Sequence, residues 1–94
     1  MSLAISGQKT VTTAGTEEAL GNMPVNGPLM VKALTTNTGL IYLGKAADGT
    51  VASTSGFVLA AAQSVEFNWV ANLSSLLVDV ATNGEGVCWI LLNV

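Results

Sequence analysis

Histidine and arginine are both absent from the 94 residues. Without histidine the commonest general base and metal ligand is gone, and with it every Ser-His-Asp, Cys-His and histidine–zinc arrangement. Without arginine, and with three lysines against six acidic residues, the chain carries a net charge of −3 and lacks the basic surface of a nucleic-acid reader. A single cysteine, Cys88, excludes an intrachain disulfide and any CxxC site, so the fold must rest on packing. Charged residues make up only 10% and hydrophobic ones 50%, which excludes a disordered polar linker. No run approaches the roughly 18 apolar residues of a spanning helix. Met1 to Ile5 lacks the basic start and long apolar run of a signal peptide. The expectation is a soluble intracellular product with no nucleic-acid and no membrane partner. A chain of 9.6 kDa buries enough surface for one modest core, and residues 1–94 read as one domain.

What is present is glycine, threonine and alternation. Ten glycines and ten threonines accompany apolar positions that recur at a spacing of two, the period of a strand. In Ser64-Val65-Glu66-Phe67-Asn68-Trp69-Val70, the residues Val65, Phe67 and Trp69 fall on one face and the polar residues on the other. Leu76 to Ala81 and Val87 to Leu92 flank Asn83-Gly84, a strong hairpin signal. Leu29 to Thr35 and Leu40 to Leu43 flank Asn37-Thr38-Gly39, and Asp48-Gly49 precedes Thr50 to Ser53, so two more hairpins are expected. Phe57-Val58-Leu59 after Gly56 reads as a short strand or a bulged entry into the next. Gln8 to Ala14 is a candidate strand, Thr16 to Leu20 a strand or one helical turn, and residues 21–28 a loop around Pro24 and Pro28. Seven or eight short strands predict an all-β chain, a compact antiparallel β-sandwich or jelly roll, with residues 1–28 as an N-terminal arm and loop. The last stretch, Val87 to Val94, is apolar on both alternating sets, so either a neighbouring chain or a loop of its own covers one side.

No constellation carries chemistry. Gly39 to Lys45 has the GxxxxGK spacing, but its four middle residues read as a strand and Ala46 stands where a phosphate loop needs a hydroxyl. Asp79, Asn83 and Glu85 bring oxygens to one turn without the spacing of a calcium loop. Glu17 and Glu18 are adjacent and would point to opposite faces of a strand. Glu66 and Asp79 either oppose one another on neighbouring strands or stand as two outward solubilising charges. Cys88, with no cation near it in sequence, reads as a buried, unreactive thiol. Tyr42, Phe57, Phe67, Trp69 and Trp89 are all the aromatics, some of which could form a sugar-stacking face, but three of them sit in strong alternating strands, where a core role fits better. Asn72-Leu73-Ser74 matches a glycosylation acceptor that has no role without secretion. No catalytic residue, cofactor or metal is expected.

Val31-Lys32-Ala33-Leu34-Thr35-Thr36-Asn37-Thr38-Gly39 runs into Leu40-Ile41-Tyr42-Leu43-Gly44. Gly56-Phe57-Val58-Leu59 then leads to Ser64-Val65-Glu66-Phe67 and a closing Asn-Gly turn. This succession, over about two-thirds of the chain, resembles small structural proteins of tailed bacteriophages. A Pro-Gly type turn expected before Ser64 is replaced by Ala61-Ala62-Gln63. The resemblance implies a jelly-roll or related sandwich bound to the outside of a capsid as a decoration or cement protein. Its partners would be the major capsid protein and itself, as a homodimer or homotrimer, on the virion surface after assembly in the host cytoplasm. Candidate subunit or capsid contacts are Val11, Met23, Pro24, Val25, Pro28 and Trp89. The alternative is a receptor- or carbohydrate-binding module of a tail or fibre, favoured if Tyr42 or Trp89 lies exposed beside polar turns.

Overall fold

The computed structural model describes residues 3–25, 27–45, 56–68 and 71–93. Asp48-Gly49, Thr50 to Ser53, Trp69 and Val70 lie outside the described residues. Among the described residues eight strands follow one another: β1 Leu3–Thr10, β2 Glu18–Ala19, β3 Leu29–Ala33, β4 Ile41–Lys45, β5 Phe57–Leu59, β6 Ser64–Phe67, β7 Leu76–Val80 and β8 Gly86–Asn93. One sheet has the order β1-β8-β3-β6 and the other β2-β7-β4-β5. The chain is therefore an all-β sandwich. Its antiparallel pairs nest, β1 with β8, β2 with β7, β3 with β6 and β4 with β5. That order is the one a long hairpin gives when rolled up, the wrapping of a jelly roll.

Period-two alternation produces the layers. In β3, Leu29, Val31 and Ala33 are fully buried while Met30 and Lys32 face out. In β8 the inward set is Val87, Trp89 and Leu91, and Ile90 on the other side is 51% exposed. The opposite sheet contributes Ile41, Leu43, Leu59, Val78 and Val80 to the same core.

Two expected hairpins are arches between sheets instead. The turn at Asn83-Gly84 joins β7 to β8, and the turn at Asn37-Thr38-Gly39 joins β3 to β4, yet each pair of strands belongs to different sheets. A two-residue I′ hairpin needs positive φ at both central residues, and here Gly84 alone has it, at 82°. The turn's backbone is instead bonded to other segments. Gly84 N–H donates to the Val11 carbonyl, Val11 N–H to that of Glu85, and Ala81 N–H to that of Leu40. Alternation and turn residues are common to hairpins and arches, so sequence periodicity does not separate them. At Ala61-Ala62-Gln63 the chain turns without proline or glycine. Ala62 sits at φ 69°, braced by Gln63 N–H on the Ala60 carbonyl and Ala60 N–H on the Gln63 side-chain oxygen at 2.8 Å. A non-glycine residue there costs about 1 kcal/mol, so Ala62→Gly is expected to raise the thermal midpoint by a few degrees in calorimetry.

The described residues from Leu3 to Val25 are built into the sandwich rather than forming an arm. Leu3–Thr10 is an integral strand paired along its length with β8, and Glu18–Ala19 pairs with β7. The strand is obscured in the sequence because one of its inward positions is Gly7, whose place is filled by the Trp89 indole from the opposite strand. A Cβ on Gly7 would lie 2.8 Å from the ring. Residues 21–25 and 27–28 are a loop, with an isolated bridge between Pro24 and Asn72.

Candidate assembly surface

The outer face of the β1-β8-β3-β6 sheet is built of two cross-strand rows. Register sets Ser6, Ile90, Met30 and Glu66 in one, and Gln8, Cys88, Lys32 and Ser64 in the next. Ile90 and Met30, 51% and 40% exposed, form an apolar ridge at the centre of this face. Shallow depressions of about 350 and 300 Å³ flank it, one lined by Gln8, Lys32 and Cys88, the other by Pro28 and Glu66. No loop of the described residues buries Ile90. The doubly apolar character of β8 thus resolves into one core face and one face left partly open. Cys88 lies on the open face and is only half-buried, with its thiol 3.6 Å from the Lys32 carbonyl, so it is not the buried core thiol expected. Strand pairing brings Lys32 opposite it, which linear sequence could not show.

A second apolar opening lies between the sheets at the β5–β6 side. Leu43, Val65, Phe67 and Leu76 line it, and Phe57 stands over it 58% exposed.

The polar turn residues act as surrogates for missing backbone partners. Glu85 accepts from the Thr38 amide at 2.6 Å, the Thr38 hydroxyl at 2.9 Å and the Gly39 amide at 2.9 Å, tying one arch to the other. Buried Asn37 donates to the Gly86 carbonyl at 2.9 Å and accepts from its amide at 3.4 Å. Asn83 accepts from Ala14 N–H at 2.7 Å, and Asp79 from Gly15 N–H at 3.0 Å and Val80 N–H at 2.8 Å. Asp79 and Asn83 are therefore spent on the Ala14-Gly15 turn and Glu85 on the Thr38-Gly39 turn. Among the described residues no group of three acidic, cysteine or histidine side chains is placed to hold a metal. Asp79 and Glu66 belong to different sheets, and Asp79 is buried, so they neither oppose one another nor both face solvent. Asn72, the acceptor-motif residue, accepts from Ser74 N–H and Met23 N–H, capping the 3-10 turn Leu73–Ser75 and fixing the 21–25 loop. At the β1–β2 side, Lys9 donates to Glu18 at 2.8 Å, and this bond holds the Glu18 carboxyl below the usual carboxylate range.

Amide donation from Gly39 first, then Thr38, holds Glu85 below its ordinary value of about 4.5. A carboxylate lowered by folding contributes stability in full above the unfolded value and loses it as pH falls through the folded one. Glu85→Gln is thus expected to be less stable than the parent chain at pH 7, with the gap closing below about pH 4.5. Urea midpoints measured from pH 7 to pH 3 check this, and a gap unchanged across the range would contradict it.

The candidate contacts separate by burial. Val11 and Val25 are core residues, 0% and 1% exposed, so their side chains are used up within the chain. Met23 and Trp89 are half-buried and packed against the core, with the indole N–H of Trp89 buried and without a hydrogen-bond partner. Pro24 and Pro28 are exposed, and Pro28 borders the Ile90–Met30 ridge. Sequence reasoning missed Ile90, Met30, Gln8 and Cys88 as one surface because three strands distant in sequence supply it.

No family model matches the chain, and no curated protein matches it. Among solved structures, a chain of "Cyanophage Pam1 capsid asymmetric unit" matches 97% of this chain and 79% of its own length, at 17% identity and a TM-score of 0.38. At that level the likeness carries no argument, and the fold assignment stands on the strand pairings.

Proposed function

We propose that the chain is a non-enzymatic structural subunit of a tailed-phage virion, a decoration or cement protein that stabilises the head by bridging capsid subunits. The observation that carries this reading is the open face of the β1-β8-β3-β6 sheet. Its centre is Ile90 and Met30, and its charges are confined to Lys32 and Glu66 toward one side. Such a face gains by burial against another protein at about 25 cal/mol per Å² of apolar area, before the losses of association. Repetition over a shell multiplies a modest contact. The order of sequence elements from Val31 onward, similar to small phage structural proteins, supports the same reading. Asp79, Glu85 and Glu18 each accept hydrogen bonds that fix turns or join strands, in keeping with a structural subunit.

The binding-module alternative called for Tyr42 or Trp89 exposed beside polar turns. Tyr42 is 8% exposed, and Trp89 is half-buried against the core at the edge of a depression, so neither stands fully exposed beside polar turns. Co-sedimentation with heads of the phage that encodes the chain tests the proposal. Saturable binding at a fixed ratio to the capsid protein is expected, and Ile90→Lys should abolish it while leaving the circular dichroism spectrum unchanged. A chain that stays at the top of the gradient contradicts the reading.

A further inference from the structure

Among the described residues the sandwich has four sheet edges, β1 and β6 in one sheet, β2 and β5 in the other. Three are blunted. Strand β2 has two residues, β5 three, and β6 four with Glu66 among them. Strand β1 has eight residues and no proline, and its single charge, Lys9, is held by Glu18. Sheets ordinarily guard an edge of this length with charge, proline, a bulge or a covering loop, because its free N–H and C=O groups are a template for another strand. Between Ala4 and Gln8 none of these guards is present among the described residues.

The ladder fixes which groups are free. Val11 N–H donates to Glu85, and bonding alternates along a strand, so Lys9, Gly7 and Ile5 bond toward β8. Ala4, Ser6 and Gln8 then turn their N–H and C=O outward, and no described residue bonds to them. We infer that this edge pairs with β1 of a second copy, antiparallel and centred on Gly7. A two-fold axis there sets Ser6 opposite Gln8 and Ala4 opposite Thr10, so outward-bonding positions meet outward-bonding positions. Lys9 then faces Ile5 of the second copy, and no like charges oppose one another. Recognition of a foreign extended peptide draws specificity from pockets for alternate side chains. The edge offers only Ala, Ser, Gln and Thr at its outward-bonding positions, whereas its own sequence read in reverse satisfies it. The inference rests on β1 alone and not on the virion reading.

Light scattering coupled to size exclusion, at two protein concentrations, tests it together with Gln8→Pro. Proline at position 8 removes an outward N–H and no bond to β8, so the monomer fold should survive. The parent chain is expected at twice the 9.6 kDa chain mass and Gln8→Pro at the single mass. A monomer or trimer of the parent chain, or a multimer that Gln8→Pro leaves intact, overturns the inference. Amide exchange of the parent chain reads the same pairing without a variant. Ser6 and Gln8 N–H groups should exchange as slowly as that of Gly7, at least about tenfold slower than an open edge. Rapid exchange at Ser6 and Gln8 overturns the inference even if Gln8→Pro fails to fold.

Discussion

Gly86→Ala is expected to abolish cooperative folding at 25 °C. A Cβ at this position would lie 2.7 Å from the Thr10 Cα and 2.9 Å from the Lys9 carbonyl carbon, and closer still to the Lys9 carbonyl oxygen. All three are backbone atoms, so no flexible side chain yields to make room. The only relief is to part β1 from β8 at the point where the ladder begins, and Gly86 is also the residue whose amide and carbonyl Asn37 holds. Separation therefore breaks strand pairing and leaves buried polar groups unpaired, a combination worth more than about 4 kcal/mol against a total stability of about 5–15 kcal/mol. Far-UV circular dichroism and a urea titration read the outcome. A soluble Gly86→Ala chain with a thermal midpoint within a few degrees of the parent would show that β1 does not approach β8 as described.

Leu29→Ala is the second large effect, expected to cost about 3 kcal/mol. Leu29 has no solvent exposure, and register places it between Leu91 of β8 and Phe67 of β6, in a strand flanked on both sides. Its neighbours are held by two ladders and cannot collapse into the space, so the cavity term adds to the lost transfer energy. The midpoint is expected to fall by on the order of 15 °C. Val65→Ala, on the edge strand and only half-buried, should cost about 1 kcal/mol. Equal losses for the two would contradict the placement of the core.

The sandwich was legible in the sequence because its signals are local: β6 alternates Val65 and Phe67 with Ser64 and Glu66, and turn residues bound the apolar runs of β3, β7 and β8. Strand partners were less legible. Asn83-Gly84 and Asn37-Thr38-Gly39 mark chain reversal correctly, but whether the next strand joins the same sheet depends on what captures the turn's amides, here Val11 and Glu85. The N-terminal strand was hidden by Gly7 and Lys9 at inward positions, one filled by Trp89 and the other paired with Glu18. Val11 and Val25 looked like arm and loop contacts because nothing local distinguishes an apolar residue that anchors its own loop from one that reaches a partner. The open surface was invisible for a related reason. Ile90, Met30 and Gln8 are far apart in the chain and meet only through the β1-β8-β3 register.

The temperature at which purified heads release their DNA, with and without the bound chain, most directly tests the proposal that the chain stabilises a head by bridging its subunits. Heads saturated with the chain are expected to open at a higher temperature than bare heads, and Ile90→Lys, which should not bind, to leave them at the bare value. Heads that carry the chain at full occupancy and open at the same temperature as bare ones would contradict it.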